Sequence, residues 1–183
     1  DGLAQVPSLR QANALAIQTD GKIVVAGFSL TGDTNLALAR FNSNGSLDTT
    51  FDADGIAILV LPNNQDLFDI AIQPDGKIVV GGNTGTNDLD QDFLVVRFNA
   101  NGTPDASFGP TGTGVIQTSF NAGDSLGSIA LQTDGKIVAG GYTKTAGINF
   151  DFALMRITAT GSLDTTFDTD GKLTTSIREQ DLL

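Results

Sequence analysis

The 183 residues are 40% hydrophobic and carry 10 basic against 21 acidic side chains, a net charge of −11. That length and apolar content suit one globular domain, and the acidic balance argues against a surface that tracks nucleic-acid phosphates. The chain has no cysteine and no histidine, which removes disulfides, thiol nucleophiles, a Ser-His-Asp triad and His-ligated metals.

Asp1 to Val6 reads as a turn and a short strand whose text returns at Asp54-Gly55-IAILVLP and Asp170-Gly171-KLTTSI. Residues 1–12 are therefore expected to hold a strand from a preceding repeat, ended by Pro7. Ala16 to Phe28 (AIQTDGKIVVAGF) then reads as a hairpin, its two apolar runs joined at Asp20-Gly21. An Asp-Gly pair in that setting predicts a type I′ turn, with positive φ at both central residues. A polar loop, Ser29 to Asn35, leads to a third strand, Leu36 to Phe41; the turn at Asn42 to Gly45, SLDTTF, and a fourth strand at IAILVLP complete the unit.

The order repeats twice. Hairpins recur at Asp75-Gly76 and Asp134-Gly135, third strands at Phe93–Phe98 and Phe152–Ile157, turns at Asn99–Gly102 and Thr158–Gly161. Arg40 to Arg97 is 57 residues and Arg97 to Arg156 is 59, while each Arg stands 11 residues before Phe51, Phe108 or Phe167. Constant cores with elastic loops are the mark of stacked repeats.

Four antiparallel strands in each unit of this length, apolar on both faces, predict an all-β fold: a β-propeller of four-stranded antiparallel blades. Three blades, about 13–62, 68–120 and 126–178, plus the extra strand of 1–12, make a single full or partial propeller domain over 1–183. A sandwich would show cleaner alternation, and β-helix coils are usually shorter. Because propellers close with roughly four to eight blades, two partner arrangements stay open: a homodimer completing a six-bladed ring, or further repeats of a longer parent chain. Arg178 to Leu183 resembles the text that leads into the second hairpin, as if a fourth unit began there. No run of about 18 apolar residues appears, so no helical membrane span is expected.

Arg40, Arg97 and Arg156 lie in apolar strands, each with an Asp eight residues later: Asp48, Asp105 and Asp164. A buried cation needs a partner, so three structural ion pairs are expected, within a blade or to the next one. The alternative is an anion site of channel-lining arginines. Asp48, Asp52, Asp54 and Asp164, Asp168, Asp170 are candidate Ca²⁺ ligands, hard oxygens in glycine-ended loops; the bland reading is turn chemistry, since the second unit lacks the later carboxylates. Lys22, Lys77 and Lys136 read as solvated strand starts. Tyr142 and Phe28 could stack on a sugar if exposed, and the Asn-Gly-Ser/Thr triplets at Asn44 and Asn101 read as turns before glycosylation sites.

The combination of QxDGKIVxxG (Gln73 to Gly82), DFxxxRF (Asp92 to Phe98) and NGxLDTTF (Asn44 to Phe51) resembles the bacterial delta-60 repeats, a β-propeller domain of unknown function. The resemblance covers almost the whole chain and implies a secreted or cell-surface bacterial protein, with no established activity. The first and third units depart from it, placing Asp52/Asp54 and Asp168/Asp170 where the family has a glycine-rich run such as Phe108-Gly-Pro-Thr-Gly-Thr-Gly114. The expected function is a non-enzymatic structural or interaction platform with no catalytic residues and no cofactor beyond the candidate Ca²⁺. Alternatives are a carbohydrate-binding propeller and, behind it, a polysaccharide lyase or hydrolase. Because the recurring residues are explained by folding, a site belongs where the copies differ: Ser29 to Asn35, Thr84 to Gln91 and Thr143 to Asn149.

Overall fold

Twelve strands in three meandering sheets account for the regular structure in a computed structural model that describes residue 6 and residues 9–29, 35–144 and 150–176. The first sheet is β1 (Leu9–Ile17), β2 (Ile23–Ser29), β3 (Leu36–Phe41) and β4 (Ile56–Leu59). The second is β5 (Asn64–Ile72), β6 (Ile78–Gly85), β7 (Asp92–Phe98) and β8 (Val115–Thr118). The third is β9 (Ala122–Leu131), β10 (Ile137–Lys144), β11 (Phe150–Ile157) and β12 (Lys172–Ser176). Each sheet keeps chain order and every pairing is antiparallel. The first strands, β1, β5 and β9, touch from blade to blade. This is the expected architecture, a row of four-stranded propeller blades.

Two details correct the sequence reading. β1 starts at Leu9, so residues 9–12 belong to the first blade and not to a preceding one; the rest of the strand expected over 1–12 falls, apart from Val6, outside the described residues, as do the last residues of the chain. The Asp-Gly hairpins are not type I′ turns either. Gly21, Gly76 and Gly135 have φ of 82–83°, while the Asp residues before them stay at negative φ. Gln18 N–H donates to Lys22 O at 2.8 Å and Gly21 N–H to Gln18 O at 2.9 Å, which is the longer hairpin loop with one left-handed glycine. Asp20 Oδ1 accepts from Lys22 N–H at 3.1 Å, so the aspartate braces the turn through its side chain instead of its backbone.

Two apolar layers hold the blades together. Val24, Ala26, Phe28, Leu36 and Leu38 of the first blade meet Leu67, Ile78, Val80, Leu94 and Val96 of the second. Val79, Phe93 and Val95 on the other face of the second blade meet Leu126, Ile137, Ala139 and Met155 of the third. Burying apolar side chains on both faces explains why β6 is buried at every position. Burial in β11 alternates instead, because one of its faces is open. Gly27, Gly82 and Gly141 stand opposite register shifts in the first strand pair, where a Cβ would run into the backbone of Gln11, Asp66 or Ser125. The glycine of each GKIVxxG copy is thus a close-approach residue.

Candidate functional site

The antiparallel meander sorts the chain into two ends. The Asp-Gly and Asn-x-Asn-Gly turns and the LDTTF segments, which the copies share, lie together at one end. At the opposite end are the β2–β3, β6–β7 and β10–β11 loops, where they differ.

At the shared end, isolated bridges Phe41↔Leu47, Phe98↔Pro104 and Ile157↔Leu163 fold the chain back after each Asn-Gly-type turn. Asp48 N–H then donates to Arg40 O at 2.9 Å, which sets the two side chains face to face. Asp48 Oδ2 accepts from Arg40 Nε at 2.7 Å and from Lys22 Nζ at 2.9 Å, and its Oδ1 accepts from Thr50 Oγ1 at 2.7 Å. Asp105 repeats this with Arg97 Nε at 2.7 Å, Lys77 Nζ at 2.9 Å and Ser107 Oγ at 2.7 Å. Asp164 does so with Arg156 Nε at 2.7 Å, Lys136 Nζ at 3.1 Å and Thr166 Oγ1 at 2.7 Å. All three guanidinium groups also stack on the closing phenylalanine, with Cζ 4.7, 4.1 and 4.9 Å from the ring centres of Phe51, Phe108 and Phe167.

The electrostatics follow from these partners. The Thr50 hydroxyl, the Lys22 ammonium and Arg40 hold Asp48 far below the usual carboxylate range against the cost of burial. Burial works hardest against the charge of Asp105, and Ser107, Lys77 and Arg97 together outweigh it. Asp164 is held low first by Thr166, then by Lys136 and Arg156. Such carboxylates are poor general bases. Two of the arginines have Nη1 committed as well: Arg40 Nη1 reaches across to Ala100 O of the next blade at 2.6 Å, and Arg97 Nη1 to Ala159 O at 2.7 Å. That geometry leaves Arg40 and Arg97 no Nη1 donor for an anion. Lys22, Lys77 and Lys136 are corrected from solvated strand starts to members of the cluster, with side chains only 27–30% exposed.

The proposed calcium ligands are not brought together. Among the described residues no group of three or more acidic side chains could hold a metal ion. Asp48 and Asp164 turn inward to the cations. Asp52 and Asp168 take left-handed φ of 44° and 45° in a tight turn, where an aspartate is tolerated better than most residues, and Oδ1 of Asp54 and of Asp170 accepts the N–H two residues on at 2.9 Å. The second blade builds the same corner with glycine, Gly109 at φ 87°. Turn chemistry therefore accounts for the acidic run.

At the variable end, the loop of Thr84 to Gln91 is organised by Asp90, whose Oδ1 accepts from Thr86 N–H and Asn87 N–H, both at 2.8 Å. The Thr86 hydroxyl bonds the other oxygen, and this lowers the Asp90 pKa. The loop presents Leu89, 60% exposed, to solvent. In the other two loops, residues 30–34 and 145–149 lie outside the described residues. Three side chains here escaped the sequence reading. Asn83, which replaces the Phe28 and Tyr142 of its sister blades, accepts from Leu126 N–H at 2.7 Å. Asp69 accepts from Ser128 Oγ and Ile129 N–H, both at 2.8 Å. Buried Asp124 accepts from Phe120 N–H at 2.7 Å, and burial pushes its pKa up. Of the two aromatics proposed to stack on sugars, Phe28 is buried and Tyr142 is 44% exposed, its ring 5.1 Å from that of Phe150.

Sheets of four strands, repeated in series and joined by a recurring cation–carboxylate–phenylalanine cluster, define a propeller repeat protein. The chain belongs to the DUF5122 β-propeller family, a domain of unknown function, whose profile matches residues 18–51, 73–108 and 132–167. Each match runs from the glutamine before an Asp-Gly turn to the phenylalanine under the arginine, and so encloses one cluster. No curated protein matches the chain. Among solved structures, a catalytically inactive virginiamycin B lyase from Staphylococcus aureus with quinupristin is similar, at 14% identity and a TM-score of 0.35, over 88% of this chain and 71% of that one.

Proposed function

We propose that the chain is a non-enzymatic β-propeller module, of the delta-60 repeat type, that serves as a structural or interaction platform in a secreted or cell-surface bacterial protein. One observation carries the reading: the ionisable residues that recur in every blade are consumed by the fold. Asp48, Asp105 and Asp164 are each saturated by two cations and a hydroxyl, which leaves the loops of the opposite end, such as Thr84 to Gln91 with its exposed Leu89, as the surface peculiar to each blade. Family resemblance supports the placement outside the cell.

A carbohydrate-binding propeller is the second reading, favoured by exposed Tyr142 packed edge-on against Phe150. Both readings meet one experiment, in which the intact chain is applied to a glycan array and incubated with acidic and neutral polysaccharides. A platform gives no chain shortening and no saturable glycan signal. A glycan signal lost in Tyr142→Ala selects the second reading, and polysaccharide cleavage by the purified chain overturns both.

A further inference from the structure

Each blade-to-blade joint is made of the same parts, and both halves of one further joint lie open on this chain. In the joints that are closed, the arginine Nη1 donates to the second residue of the next blade's Asn-x-Asn-Gly-type turn, Ala100 or Ala159. The residue after the phenylalanine donates its N–H to the third, Asp52 to Asn101 O at 2.8 Å and Gly109 to Thr160 O at 3.2 Å. The turn glycine lies against the phenylalanine: a Cβ on Gly102 would meet Phe51 at 3.0 Å, and one on Gly161 would meet Phe108 at 2.8 Å.

Blade three holds the donor half, with no described residue opposite it. Among the described residues, Arg156 Nη1 and Asp168 N–H meet no acceptor, Phe167 is only half-buried where Phe51 and Phe108 are fully buried, and the Arg156 side chain is 20% exposed against 9% and 5% for Arg40 and Arg97. Blade one holds the acceptor half, the turn Asn42 to Gly45, where a Cβ on Gly45 would meet nothing within 4 Å.

The apolar faces match in the same way. Leu15 and Ile17 are 63% and 67% exposed on blade one, at the positions that Ile70 and Ile72 fill in the joint between blades one and two. On blade three, Phe152 is 59% exposed where Phe93 is fully buried in the joint between blades two and three.

We propose that blade three of one copy docks on blade one of a second copy, head to tail, with Arg156 Nη1 donating to Ser43 O, Asp168 N–H to Asn44 O, and Phe167 lying beneath Gly45. Two such joints close a ring of six blades, and six lies within the common range for propellers. This does not depend on the platform reading, which concerns the loops at the other end.

Light scattering on the 183-residue chain in about 0.15 M salt tests it. The expected mass is twice 18.9 kDa, falling to 18.9 kDa on dilution. Leu15→Glu and Phe152→Glu each place a charge on one exposed face without touching a closed joint; each alone runs as a monomer with an unchanged circular dichroism spectrum. Mixed together, they recover a dimer, because one of its two joints joins unmodified faces. A wild-type chain that stays at 18.9 kDa at every concentration, a mass above two copies, or a mixture that fails to associate overturns the proposal. Should either variant misfold, Arg156→Lys, which loses the Nη1 donor but keeps the charge, weakens the association of an otherwise intact chain, and unchanged association would count against it.

Discussion

The second and third blades carry almost the same words and live in different surroundings. Around Arg97 both neighbours are present: the guanidinium is sealed between Asp105, Phe108 and the carbonyl of Ala159. Around Arg156 the same carboxylate and ring are present, but among the described residues no carbonyl takes the place that Ala159 O has beside Arg97. The comparison shows what belongs to a blade and what belongs to the joint. The Arg–Asp–Lys set and the stacked ring are built within one repeat, whereas burial and the Nη1 bond are conferred by the next.

The largest effect is expected where the cluster is closed. Arg97→Met leaves Asp105 buried with Lys77 as its one cation, and removing one partner of a buried pair costs about 3 kcal/mol. Urea denaturation should show that loss, and an unchanged midpoint would mean that the pair does not hold the blade. Arg156→Met sharpens the contrast. In dilute solution its cost should be less than half as large, because the site is already partly hydrated, and the gap should narrow as concentration rises and copies associate.

Acid should act in the same direction on the first and second blades. Asp48 and Asp105 titrate below their unfolded values, so their stabilisation is complete above about pH 4 and is lost as pH falls through the lower folded values. Asp124 has the opposite sign: its folded pKa is raised, so its contribution diminishes as pH rises past the unfolded value. Chemical denaturation across that range should therefore show a net loss of stability in acid that is slightly steeper in Asp124→Asn.

Lys77→Met, which removes the more exposed of the two cations on Asp105, should cost about 1 kcal/mol. A loss as large as that of Arg97→Met would make the lysine an equal partner. The smallest effect is expected from millimolar Ca²⁺ or EGTA, neither of which should move the melting temperature, since Asp52 and Asp54 serve the turn. A rise with Ca²⁺ would restore the metal reading.

The blade was legible because its signals are local. Asp-Gly between apolar runs gives a hairpin, and the 11-residue interval from Arg to Phe51, Phe108 or Phe167 repeats without change. That interval also held the stacked ring, but spacing alone says nothing of which side chains meet in space. The lysines were misjudged because strand position makes them look solvated, while the fold-back at Leu47, Pro104 and Leu163 carries an aspartate to them from 26 to 28 residues away. The turn type was missed for a subtler reason. Asp-Gly fits both hairpin loops, and the choice rests on whether the aspartate offers its backbone or its side chain. Asn83 and Asp69 were out of reach altogether, because their partners belong to the next blade.

Native-state amide hydrogen exchange tests most directly whether a following blade completes each cluster. The Asp52 and Gly109 amides donate across closed joints and should exchange slowly at every protein concentration. The Asp168 amide should exchange fast in dilute solution and become as protected as Gly109 when copies associate. An Asp168 amide that exchanges at one rate throughout, or a Gly109 amide as fast as Asp168, would contradict the account.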